Sequence, residues 1–132
     1  MKPLVLKGHA MPITDLKFNK DSDLLFSASK DRYITLWSSE YGERIGTYGH
    51  SAAVYSMDID DTSKYLISSD STGYVYIWDA GNGKEINKFG LDKLPLIHSV
   101  NFNYNNELIS VGYGGRASTS ESHIDIYKFS DL

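Results

Sequence analysis

A repeat of 41 residues constrains this chain more than any other feature. Gly8-His9 returns as Gly49-His50, and Trp37 returns as Trp78. The same offset carries Leu36 to Ile77, Phe18 to Ile59, Leu25 to Leu66 and Ser27 to Ser68. Two separate landmarks on one period imply similar units in series, none able to bury its apolar face alone. Each unit is a series of short apolar runs. The first holds Ile13 to Phe18, Leu24 to Ser29, Tyr33 to Trp37 and Arg44 to Tyr48; the second holds Val54 to Ile59, Tyr65 to Ser69, Tyr74 to Trp78 and Lys84 to Phe89. Asn19-Lys20-Asp21-Ser22, Lys30-Asp31-Arg32 and Asn82-Gly83 are turn formers between them. No segment keeps a helical period.

Four short strands per repeat, opening on Gly-His and reaching Trp, resemble the blades of a WD-repeat β-propeller. The expectation is an all-β fold of about three four-stranded antiparallel blades, with repeats over 8–48, 49–89 and 90–132. The third repeat is degenerate. Its strands are expected at Ile97 to Phe102, Glu107 to Val111 and Ile124 to Phe129, with Tyr127 in the place of Trp. Gly90-Leu91 stands where Gly-His would open it. Its extra residues fall in a Gly/Ser-rich stretch from Gly112 to Ser122, which reads as a long, mobile loop. A fourth strand of this repeat is not found.

Composition narrows the function classes. Lysines and arginines number 13 against 17 acidic residues, giving a formal charge of −4, and they are scattered singly. That pattern lacks the basic stripe of a nucleic-acid surface, so no direct nucleic-acid site is expected, and the ten tyrosines read as strand packing rather than base stacking. With no cysteine, disulfides and thiolate metal sites are excluded. The opening MKPLVLK is broken by charge and no apolar run is long enough to span a bilayer, so a soluble cytoplasmic protein without a membrane role is expected.

His9, Ser27 or Ser29, and Asp31 invite a Ser/His/Asp reading, but geometry defines a triad, not composition. The likeness to WD repeats implies instead a structural hydrogen-bond network of His9, Ser27 or Ser29, Asp31 and Trp37, which satisfies buried polar groups. His50, Ser68, Thr72 and Trp78 are the second-blade counterparts; Thr72 stands where the acid is expected, and either Thr72 or Asp70, two residues earlier, substitutes for it. Glu121, His123 and Asp125 alternate on one strand face, where a solvated edge is the preferred reading over a metal site. Gly112 to Arg116 fits neither phosphate-loop pattern. No catalytic residue, cofactor or metal is expected.

A narrower resemblance rests on Met1-Lys-Pro-Leu-Val-Leu-Lys-Gly-His9, Asp23-Leu-Leu-Phe-Ser-Ala-Ser-Lys-Asp31, Gly42-Glu-Arg-Ile-Gly-Thr-Tyr48 and Ile124-Asp-Ile-Tyr-Lys-Phe129. Together these resemble the N-terminal part of the subunit I family of eukaryotic translation initiation factor 3. The serine-threonine kinase receptor-associated protein is the confusable relative. The resemblance implies a seven-bladed, non-catalytic scaffold that binds subunits B and G of that factor and supports recruitment of the small ribosomal subunit to mRNA. It also implies that Lys2 to Leu6 are a clasp strand for the last blade. Partner-binding residues are not assigned. Association of two copies, with Lys2 to Leu6 of one completing the third blade of the other, is a further expectation.

Overall fold

The computed structural model describes residues 2–90, 96–114 and 122–132. Eleven strands run in chain order: β1 (Ile13–Phe18), β2 (Leu24–Ser29), β3 (Tyr33–Ser38), β4 (Arg44–Gly49), β5 (Val54–Ile59), β6 (Tyr65–Asp70), β7 (Tyr74–Asp79), β8 (Lys84–Gly90), β9 (Leu96–Phe102), β10 (Leu108–Gly114) and β11 (His123–Lys128). They form three antiparallel meanders: β1-β2-β3-β4, β5-β6-β7-β8 and β9-β10-β11. All three are propeller blades; the first two have four strands and the third, among the described residues, has three.

The repeat in sequence is a repeat in local geometry. Each first hairpin turns on an Asx residue: Asn19, Asp60 and Asn103 accept the N–H of Leu24, Tyr65 and Leu108 through a side-chain oxygen. Three residues after each, Ser22, Ser63 and Asn106 take positive φ of 62°, 58° and 60°. Register shifts also recur, between Ile13 and Asp15 in β1 and between Val54 and Ser56 in β5. Such bulges increase local strand twist.

The blades stack through two cores. Phe26, Ala28, Ile34, Leu36 and Tyr48 of the first blade pack on Val54, Met57, Leu66, Tyr76 and Trp78 of the second. Ile67, Val75 and Ile77, on the opposite face of the second blade, pack on Ile97, Val100, Ile109 and Val111 of the third. Alternation along each strand puts one set of residues forward and the next set backward, so every blade needs a neighbour on both sides. Each fully buried side chain contributes ~1.5–3 kcal/mol. A net hydrogen bond contributes about 1 kcal/mol, so the cores dominate and polar contacts choose the register.

Those polar contacts lie along β1, β5 and β9, which run side by side. Thr14 Oγ1 donates to Val54 O at 2.7 Å, and Asp15 Oδ2 accepts Met57 N–H at 3.1 Å. Ser56 Oγ accepts Val100 N–H at 3.2 Å, and Asp58 Oδ2 accepts Phe102 N–H at 2.8 Å. Tyr48 Oη donates to Ala80 O at 2.7 Å. Burial, together with Asp79, pushes the Tyr48 phenol up to about 12.

The third blade corrects two expectations. β10 extends to Gly114, so Gly112, Tyr113 and Gly114 are strand rather than loop. Pairing with β9 and β11 on either side satisfies this backbone despite its glycines. Tyr113 is buried, and its ring stacks on His123 at 4.5 Å. The rest of the expected loop, through Glu121, lies outside the described residues. β11 stops at Lys128, and Phe129–Asp131 form a 3-10 turn that sets Phe129 edge-on to Tyr65 and Phe102. Tyr127 packs edge-on against Phe89.

Residues 2–9 belong to no sheet. Leu4 and Leu6 close over Gly42, where φ is +72° and an added Cβ would meet Leu6 at 2.7 Å.

Candidate functional site

The first two blades each bring together a histidine from before the first strand, a serine from the second and a tryptophan from the third. In the first, His9 Nδ1 lies 2.8 Å from Asp31 Oδ2, and His9 Nε2 lies 2.6 Å from Ser27 Oγ. Trp37 Nε1 donates to the same Ser27 oxygen at 2.8 Å. Asp31 Oδ2 also accepts Ala10 N–H, and Oδ1 accepts Tyr33 N–H. Ser29 belongs elsewhere: its hydroxyl lies within reach of Met11 O and Pro12 O and accepts Asp31 N–H.

In the second blade His50 Nε2 lies 2.7 Å from Ser68 Oγ, which accepts Trp78 Nε1–H at 2.7 Å. Here the acid is Asp70, 3.0 Å from His50 Nδ1, and not the expected position of Thr72. Thr72 instead donates its N–H and its hydroxyl to Asp70 Oδ1. The physical reason is one of register. Asp70 occupies the place of Ser29, at the end of the second strand, and its longer side chain reaches the histidine from there. One carboxylate thus spans the histidine and the following turn, tasks the first blade divides between Asp31 and Ser29.

The donor inventory assigns the protons. Nδ1–H of each histidine donates to its aspartate, and the serine hydroxyl donates to Nε2 while accepting from the indole. Every polar atom of the chain Trp–Ser–His–Asp is then satisfied. The second chain is dry, with both His50 and Asp70 side chains at 0% exposure, against 5% and 11% for His9 and Asp31.

The order Ser–His–Asp is that of a nucleophilic triad, but the chemistry differs. Ser27 and Ser68 are buried within the blades, and each oxygen is occupied by an indole N–H. Attack would require that oxygen to face a substrate and an oxyanion cradle. What the arrangement does is lock a loop onto a strand pair.

Electrostatics agree. Burial pushes the Asp70 carboxyl up, but the bonds from His50 and Thr72 outweigh it and hold the group below its ordinary 3.8. Asp31 is likewise held low: burial is outweighed by His9 and the N–H groups of Ala10 and Tyr33. A depressed carboxylate contributes stability that is present above its unfolded pKa and lost as pH falls through the folded value. Stability measured by denaturant titration should therefore fall below about pH 4, and Asp70→Asn should flatten that acid limb. Asp58 has the opposite sign: burial raises it despite bonds from Phe102 and Ile59 N–H, so its charged form opposes folding.

His9→Ala should cost about 1–3 kcal/mol by stranding Ser27 and Asp31, seen as a lower thermal midpoint with the β circular-dichroism signature retained below it.

His123 Nε2 sits 3.7 Å from Asp125 Oδ1 at a half-exposed edge, while Glu121 lies outside the described residues. Among the described residues no group of three or more His, Asp or Glu side chains could hold a metal ion, and no helix is long and apolar enough to cross a membrane. Sequence reasoning missed the inter-blade acceptors Asp15, Ser56 and Asp58 and the turn residues Asn19, Asp60 and Asn103. The 41-residue offset that aligns Asn19 with Asp60 would have flagged the turns.

Comparison with known proteins places this geometry. Residues 2–38 and 42–79 match the profile described as "WD domain, G-beta repeat". Eukaryotic translation initiation factor 3 subunit I of Schizosaccharomyces pombe is 54% identical over 48 residues, 36% of this chain and 15% of that protein. The Neurospora crassa and Xenopus tropicalis subunits are 52% and 50% identical over 48 residues, covering 14% and 15% of their lengths. The stretch matched is thus a small part of those relatives. Among solved structures, U3-55K superposes with a TM-score of 0.85 at 26% identity, over 97% of this chain and 39% of that one. The RRP9 WD40 repeats give 0.84 at 26%, over 97% and 38%. Since the two matched repeats span more than half of its residues, the chain belongs to the WD-domain, G-beta-repeat family.

Proposed function

We propose that this chain is a non-catalytic scaffold of translation initiation, acting in the cytoplasm as part of an initiation factor 3 assembly. The observation that carries the reading is the 50–54% identity over 48 residues to subunit I from fungi and an amphibian. The sequestered serines support the non-catalytic part, because the nucleophile-like oxygens are engaged in holding the blades. By resemblance the partners are subunits B and G, and through them the small ribosomal subunit.

The test is capture of purified subunits B and G on the immobilised chain. Binding of either, retained after washing and competed by free chain, is the expected result. A folded chain that retains neither overturns the reading. His9→Ala should leave no hydrolytic turnover to lose; an activity that disappears with His9 while the fold persists would overturn the non-catalytic part.

A further inference from the structure

The structure assigns a binding site for an arginine side chain of a partner polypeptide to a cavity where the first hairpin turns of the three blades converge. Those turns share their structural positions. Asn19, Asp60 and Asn103 open them as Asx residues, and Ser22, Ser63 and Asn106 take positive φ three places later. The place directly after each Asx residue is under no such demand, and there the turns differ: Lys20, Asp61 and Tyr104 supply a cation, an anion and an aromatic ring. All three line one cavity of about 460 Å³, together with half-buried Asp58, Ile59 and Phe102. A repeat that keeps its turn chemistry fixed while varying the one position that lines a common cavity has the form of a recognition site.

The cavity does not depend on the outer faces of the first and third blades. Asp61 belongs to the second blade, which packs against a blade on each side, and it is still exposed. Exposure at this place is therefore a property of the turn, and Tyr104, 96% exposed, shares it.

The lining selects the ligand. Asp58 and Asp61 outweigh Lys20, so the cavity favours a cation. Each Asp58 oxygen accepts one backbone N–H, from Ile59 or from Phe102, which leaves acceptor capacity on the carboxylate. Among the described residues no lysine or arginine is ion-paired with either carboxylate. Ile59 and Phe102 offer apolar surface to an alkyl stem, and Tyr104 offers a ring face. A guanidinium meets these demands together. It pairs with a carboxylate through two parallel N–H donors, stacks on an aromatic ring and is more weakly hydrated than an ammonium. The partner follows from charge. The hairpin turns at this end of the blades expose Asp21, Asp23, Glu40, Glu43, Asp61 and Glu107 against Lys20 and Lys64. The turns at the other end, 30–32, 50–53 and 71–73, hold one acid, Asp31, against Lys30 and Arg32. One end of the blades thus draws a basic segment, and the cavity fixes one side chain of it.

Amide NMR of the full, isotope-labelled chain, titrated with acetyl-Gly-Arg-Gly amide, tests this. Saturable shifts are expected at Ile59, Asp61, Phe102 and Tyr104. The citrulline peptide, which keeps the shape and loses the charge, should not bind, and the lysine peptide should bind more weakly. Asp61→Asn should weaken binding about tenfold, as for the loss of a charge-assisted bond. Tyr104→Ala should weaken it about two- to fivefold, as for an exposed cation–π contact. Both residues sit at turn tips, so the β circular-dichroism spectrum should not change. Asp21→Asn removes the same charge from a neighbouring turn outside the cavity and should leave the affinity unchanged. Shifts that do not saturate, or that fall elsewhere, overturn the inference. So does an equal loss in Asp21→Asn, which would mean diffuse attraction to the acidic end alone. Equal affinity for the citrulline or the lysine peptide overturns the assignment to arginine.

Discussion

Asp70→Ala should lower the stability of this chain by about 3–5 kcal/mol, because it strands two buried donors at about 1–3 kcal/mol each. The carboxylate is fully buried and contacts His50 and Thr72. Its loss leaves the His50 Nδ1–H and the Thr72 N–H in a dry cavity with no acceptor. Asp31→Ala should cost less, about 1–3 kcal/mol, since its carboxylate retains 11% exposure and water can replace it. Thermal denaturation separates the two. At roughly 4 °C per kcal/mol for a domain of this size, the Asp70 variant should melt ~12–20 °C lower. Equal shifts for the two variants would contradict the difference in burial.

Trp78→Ala should cost a similar amount, about 3–5 kcal/mol, for a different reason. The indole stacks on Tyr76 at 5.6 Å, lies 5.4 Å from His50 and meets Tyr48 of the first blade edge-on at 5.8 Å. Truncation opens a void at the first inter-blade core, as well as freeing Ser68 Oγ. Trp78→Phe keeps most of the volume and loses the N–H, so it should cost about 1–3 kcal/mol. Asp70 and Trp78 are joined through Ser68 and His50. A double-mutant cycle should therefore show a coupling of about 0.5–3 kcal/mol. Strict additivity in urea titrations would mean that the two halves act independently.

The strands were legible wherever hydrophobic alternation and turn chemistry agreed. The Ile13–Phe18, Leu24–Ser29 and Val54–Ile59 strands coincide with the runs read from sequence because β-branched and aromatic residues there end at Asx turns. The third blade was less legible. Gly112 and Gly114 have low strand propensity, and only pairing on both sides explains their place in β10. Of the polar residues, Ser27 and Ser29 could not be separated by spacing alone. They point to opposite ends of the same loop, one into the indole–imidazole chain and the other onto Met11 and Pro12 carbonyls. Spacing likewise left Thr72 and Asp70 both open, because an alignment by offset points to one fixed position. A longer side chain two residues earlier reaches the same nitrogen. The forward contacts of Asp15, Ser56 and Asp58 join residues 42 or 44 apart, and an exposed-looking acid on a strand gives no local sign of them.

The side-chain bonds between blades have a grammar. In Thr14, Asp15, Tyr48, Ser56 and Asp58 alike, the side chain belongs to the earlier blade and the backbone it holds to the later one. Instructions for seating a repeat are thus written in the repeat before it. A blade cut out and grafted elsewhere would take its apolar faces along but leave its address behind. Transplanting a module of this kind therefore means moving a frame offset from the blade itself, with the preceding first strand included.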